Sequence, residues 1–117
     1  MIVVNNDKIS FWDVDDTLIN HFIGIPFDEK EHVRLNNGEI QAWKITRNEP
    51  NIRALKHFKQ LGSTVVVWSA SGYAHAENAV KALGLENFVD FCMSKPEVYI
   101  DDKDCTYWLG GRKRFYE

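Results

Sequence analysis

The chain has 117 residues, a formal net charge of -3, 44% hydrophobic and 26% charged residues. That balance belongs to a folded globular domain, excludes a disordered chain and gives no overall reason to expect a polyanion-binding surface. No apolar run is long enough for a membrane span, "MIVVNNDK" lacks the form of a signal peptide, and Cys92 and Cys105 are too few for a disulfide scaffold and lack metal-ligand spacing. One cytoplasmic domain over residues 1–117, with two free thiols and no membrane partner, is the expectation.

In chain order, "MIVV" reads as an edge strand, joined through the turn signal "NND" to a buried strand, "KISFWDVD", that ends on acids. A polar stretch dotted with aromatics follows, from about residue 21 to 47. It holds "NNG" between short β-like runs at residues 33–35 and 40–45, which predicts a hairpin projecting from the sheet as a flap. Pro50 and Asn51 open an amphipathic helix in which Ile52, Leu55, Phe58 and Leu61 recur at helical spacing, with Gly62 as the stop. "STVVVWSAS" is a nearly unbroken apolar strand of the kind buried on both faces of a parallel sheet.

A second helix, "YAHAENAVKALGL", closes on Gly84, and "FVDFCMS" and "EVYIDD" read as two more short strands. "CTYWLGG" suits either a strand or a helical turn. The basic "GGRKRF" beyond it reads as solvated, with contact to nucleic acid the lesser reading. Strands alternating with helices predict an α/β fold, a doubly wound, Rossmann-like, mainly parallel sheet with helices on both faces. Ligands in such sheets bind beyond the carboxyl ends of the strands.

Asp13 and Asp15 follow one predicted strand, Ser69 the next, and Asp101 and Asp102 the one ending "VYI". Parallel strands would bring all of these to one edge. Two like charges about 4 Å apart repel by roughly 4 kcal/mol at an effective dielectric of 20, so four carboxylates there call for a cation. Hard oxygen ligands suit Mg²⁺, which takes one or two carboxylates and completes its shell with water and phosphate oxygens.

These residues also resemble a family. "DVDDTL" is similar to the DxDxT signature of the haloacid dehalogenase superfamily of phosphatases. "VVVWSAS" resembles its second motif, Lys95 in "SKP" its third and "VYIDD" its acidic fourth. The resemblance implies that Asp13 is the nucleophile and Asp15 the general acid and then base. It further implies Mg²⁺ held by Asp13, the Asp15 carbonyl and a fourth-motif acid, Asp102 directly with Asp101 beside it. Thr17 would pin the acid-bearing loop. Ser69 and the amides of Ala70 and Ser71 would hold the phosphoryl oxygens.

Asp16 stands where the family often has glycine and is read as turn chemistry. Lys95 lies only six residues before Asp101, a span of roughly 20 Å when extended, too short for a helical crossover. Lys103 is its rival for the phosphate.

Other residues receive plainer readings. Trp12 and Trp68 are taken as core. His21, His32, His57 and His75 show no ligand spacing and are taken as surface or packing residues, while Glu86, Asp90 and the helix lysines are solvated faces. Arg34, Trp43, Lys44 and Arg47 are candidate substrate contacts from the flap.

The expected function is a Mg²⁺-dependent phosphomonoester hydrolase acting through an aspartyl-phosphate. With no room for a separate cap domain, the flap would leave an open site. That suits a nucleic-acid end, or a nucleotide or sugar phosphate if a second subunit closes it. The alternative is a receiver-like or phosphate-binding signalling module without turnover. Receivers, however, carry the phosphorylated aspartate after the third strand, whereas the DxD here follows the first convincing one. "DVDDT" also resembles the acid motif of terpene cyclases, whose folds are far longer.

Overall fold

The β-branched run after Gly62 is buried from both sides, and the sheet is built on it. The computed structural model describes residues 8–20, 29–34 and 40–109. In chain order these form β1 (Ile9–Asp13), β2 (Ile19–Asn20), β3 (Glu29–Arg34), β4 (Ile40–Arg47), α1 (Glu49–Gln60), β5 (Thr64–Ser69), α2 (Tyr73–Ala82), β6 (Phe91–Ser94) and α3 (Cys105–Leu109). β5 is central in a three-stranded parallel sheet of order β1-β5-β6. Its register runs from Ile9↔Thr64 to Asp13↔Trp68 on one side and from Val66↔Phe91 to Ser69↔Ser94 on the other. All three strands therefore point their carboxyl ends to one edge, where Asp13, Ser69 and Ser94 lie.

The helices start and stop for local reasons. The Asn48 side chain accepts the Asn51 N–H to cap α1, Pro50 sits in the first turn, and Gly62, at φ +91°, turns the chain out in a conformation that costs a glycine little. α2 begins after Gly72 with no side-chain cap of its own; the Tyr73 N–H donates to Ser94 Oγ at 2.9 Å instead, tying the helix start to the end of β6. Leu61, expected in the apolar stripe of α1, is its exposed C-cap.

Pleating gives the sheet two different faces. Trp12, Val65 and Val67 face Ile52 and Leu55 of α1 and Ala76, Ala79 and Val80 of α2, and together they form the core. The Trp12 ring meets Phe58 edge-on at 5.4 Å. Ile9 and Phe11 point the other way and are each about half exposed (49% and 50%), so β1 is not the buried strand expected. Of the helices expected on both faces, α1 and α2 both pack into this one core. The β1-to-β5 and β5-to-β6 crossovers step in the same direction, and right-handed connections then lay both helices on one face. The described parallel sheet is thus wound one way, not doubly.

The stretch predicted as the strand "EVYIDD" is not a strand. Val98 is 76% and Ile100 98% exposed. Side chains there satisfy the backbone locally: Asp101 Oδ1 accepts the Lys103 N–H, the Tyr99 hydroxyl accepts the Cys105 N–H, and Asp104 accepts from Thr106. Such bonds compete with a sheet ladder. "CTYWL" takes the helical of its two options, as α3.

β3 and β4 form the expected hairpin, paired from Glu29↔Ile45 to Arg34↔Ile40, and β2 adds to it through Ile19↔Arg47 and Asn20↔Thr46. β3 lies against α2. The predicted strand at "MIVV", the "NNG" turn, His21 and the basic "GGRKRF" fall outside the described residues. Among the described residues no helix is long and apolar enough to cross a membrane.

Candidate active site

The acid-bearing loop is fixed by its backbone before any side chain acts. The Val14 carbonyl accepts the N–H groups of Thr17, Leu18 and Ile19, and Asp16 N–H donates to the Ile19 carbonyl at 2.7 Å. Asp16 takes φ +60°, a left-handed conformation that Asp tolerates better than most residues. Val14 and Leu18 are fully buried under the loop. From α1, Asn51 Nδ2 donates to the Thr17 carbonyl at 2.9 Å, and the Asn48 N–H donates to the Leu18 carbonyl.

On this frame Asp13 and Asp15 are each held from a different element. Lys95, one residue past β6, places Nζ 3.2 Å from Asp13 Oδ1 and 5.8 Å from the centre of the Trp68 ring. The Thr17 hydroxyl donates to Asp13 Oδ2 at a long 3.4 Å. Asp15 meets His75 of α2, whose Nε2 lies 3.2 Å from Oδ2 and 3.4 Å from Oδ1. The Lys95 N–H donates to the Ser69 carbonyl, continuing the β5–β6 ladder and setting where its side chain starts. This is how a lysine outside the strand reaches the acid on β1: β5 lies between them and the long side chain spans it.

Ser69 lies at the same edge. It is 1% exposed, and its Oγ accepts the Ser71 N–H at 3.0 Å, so it shapes the turn between β5 and α2. Ala70 and Ser71 are exposed on that turn. No family model, curated protein or solved structure matches the chain. The chemistry of the site rests on its own geometry.

Asp101, Asp102 and Lys103 do not join it. They are exposed on the loop before α3; Lys103 Nζ sits over the Tyr107 ring at 5.3 Å, and its N–H holds the Asp101 carboxyl below the usual value. Among the described residues no three His, Cys, Asp or Glu groups come together as a metal cluster. A magnesium ion needs only one or two protein carboxylates and keeps water for the rest. That modest demand does not require a cluster of three such groups.

His75, read as a surface or packing residue, meets Asp15, and their separation of 60 positions explains why no local spacing announced the contact. Trp12 is core, 7% exposed, with Nε1 donating to Ser10 Oγ. Trp68 is not: it is partly exposed, packs on Phe11 with the rings tilted and their centres 4.5 Å apart, and carries the Lys95 ammonium. Arg47 is structural, paired with Glu49 at 2.8 Å and donating to the Leu83 carbonyl. The side chains of His32, Arg34, Trp43 and Lys44 fall outside the described set. Asp90, taken as a solvated acid, binds Lys59 at 2.7 Å and accepts the Val65 N–H at 2.8 Å. Cys92 and Cys105 are free, and burial pushes the Cys92 thiol up.

Proposed function

We propose that this chain is a phosphomonoester hydrolase of the haloacid dehalogenase type, with Asp13 as the nucleophile. The observation that carries the reading is the Asp13–Lys95 pair, a carboxylate at a strand's carboxyl end with an ammonium 3.2 Å away. A free carboxylate repels a phosphate dianion. A lysine at that distance offsets the repulsion and offers a partner for the phosphoryl oxygens.

An Asp13 oxygen attacks phosphorus, the bond to the leaving oxygen breaks, and Asp15 gives that oxygen its proton. Asp15 then takes a proton from water, the water oxygen attacks the aspartyl-phosphate, and inorganic phosphate and free Asp13 are regenerated. Lys95 neutralises phosphoryl charge through both halves, and the turn at Ser69, Ala70 and Ser71 borders the same edge. Magnesium bound at Asp13 and the Asp15 carbonyl would supply further charge neutralisation on the phosphoryl group.

The substrate class is left broad: a nucleotide, a sugar phosphate or a nucleic-acid end, with a second copy of the chain as a further means of closing an open site. A receiver-like module that is phosphorylated without turnover would use the same Asp13–Lys95 pair. Asp15, two residues on and held by its own partner, favours turnover.

Hydrolysis of 4-nitrophenyl phosphate with and without Mg²⁺, in wild type and Asp13→Asn, tests the reading. Magnesium-dependent release lost in the variant is the expected result; no release from wild type, or full release from the variant, contradicts it.

A further inference from the structure

We infer that His75 is the positioning residue for Asp15: its imidazole Nε2 holds the carboxylate in the orientation from which it passes its proton. This rests on the hydrolase reading, and deepens it by adding a member that neither the DxD run nor the later motifs contain.

The Asp15 backbone is already fixed by its bridge to Ile19 and by the Asp16 N–H to the Ile19 carbonyl. The side chain adds rotation about two torsions of its own. A single ring nitrogen within 3.2 and 3.4 Å of both oxygens restricts that rotation, because it sits before the fork of the carboxylate rather than on one prong. The ring is itself seated. His75 lies in the first turn of α2, and the start of that helix is anchored by Tyr73 N–H to Ser94 Oγ, while the next residue, Ala76, is fully buried.

A stability role explains the pair poorly. The two side chains are 26% and 44% exposed, and exposed pairs of this kind contribute little to folding. The same exposure leaves the carboxylate open to a substrate. Asp13 and Asp15 are also divided between partners: Lys95 reaches Asp13 from the end of β6, and His75 reaches Asp15 from α2. That division keeps a fixed positive charge beside the nucleophile and places an imidazole beside the proton carrier.

Leaving groups separate positioning from mere packing. Nitrophenolate departs without a proton, whereas an alkoxide needs one. The value of kcat/KM reports the steps up to transfer of the phosphoryl group to Asp13 and so isolates the acid role from the later base role.

The test measures kcat/KM for 4-nitrophenyl phosphate and 2-phenylethyl phosphate in wild type, His75→Phe and His75→Gln, whose amide nitrogen reaches to the place of Nε2. His75→Phe should lose about 10- to 100-fold on the alkyl ester and little on the nitrophenyl ester, and His75→Gln should recover most of the loss. Equal losses on both esters, no loss on either, or no recovery by glutamine would overturn the inference. Wild type is assayed first, so silence there identifies failure of the hydrolase reading, on which the inference falls with it.

A second measurement needs neither turnover nor a folded phenylalanine variant. In the metal-free protein, ¹⁵N spectra of the His75 ring should show Nε2 carrying hydrogen and shifting in Asp15→Asn. Ring signals unchanged by that substitution would overturn the pairing directly.

Discussion

Lys95 Nζ stands 3.2 Å from Asp13 Oδ1 although the two residues leave strands that are not neighbours, with β5 between them. Lys103, the rival for the phosphate, is drawn instead over Tyr107. Lys95→Ala should therefore lower phosphate release by about 10²- to 10³-fold, the usual effect of removing one preorganised charge donor, while Lys103→Ala stays close to wild type. Side-by-side kcat/KM values for the two variants decide it, and a larger loss from Lys103→Ala would transfer the role.

Asp16 separates turn chemistry from catalysis. At φ +60° its place is conformational, so Asp16→Gly and Asp16→Asn should keep both activity and stability, while Asp16→Val loses at least about 1 kcal/mol. Denaturant melts measure the stability; a glycine variant that folds normally but is inactive would restore Asp16 to the chemistry.

The acid loop is held from α1 by a residue outside the acid run. Asn51 is 6% exposed and donates to the Thr17 carbonyl. Asn51→Ala leaves that part-buried acceptor without this donor, and should cost about 1 kcal/mol of stability. It should also lower kcat more than it raises KM, because the loop carrying Asp13 and Asp15 loosens. Urea unfolding and steady-state kinetics on one preparation test both effects.

Asp90 gives the fold a pH dependence of known sign. Burial works to raise its pKa, but the Lys59 hydrogen bond and the Val65 N–H outweigh it and hold the carboxyl below its ordinary 3.8. A depressed folded value means a stabilisation present above the unfolded value and lost as pH falls through the folded one. Asp90→Asn should therefore be less stable than wild type at neutral pH, by about 1 kcal/mol given that solvent screens a pair about one-third exposed. The gap should close below about pH 4. Thermal melts at a series of pH values check it, and a gap that widens in acid would reverse the assignment.

Much of this was legible in the residues themselves. Val65 to Val67 announce a strand buried on both sides, Ile52, Leu55 and Phe58 a one-faced helix, and "NNG" a hairpin, because each signal is local and each environment follows from it. "EVYIDD" has an equally good local pattern and fails, because its acids and Tyr99 bond to nearby backbone and the chain does not return to the sheet. Six residues from Lys95 were the warning. Ile9 and Phe11, half exposed, lie on the face where a second layer of helices was expected. At the site, the DxD run offered Asp13, Asp15 and Thr17, the motif resemblance offered Lys95, and the structure brings Lys95 to Asp13. The meeting of His75 with Asp15 was not legible, since only the fold brings α2 to the acid loop.

The central claim is that Asp13 takes the phosphoryl group onto its own carboxylate. Acid quenching of the protein during turnover of a phosphate ester, followed by peptide mass analysis, reads this directly. A phosphoryl group on the peptide containing Asp13, absent from Asp13→Asn and accumulating in Asp15→Asn with an activated aryl ester, is the predicted result. Release of phosphate at full rate with no labelled peptide, or a label on another residue, would contradict it.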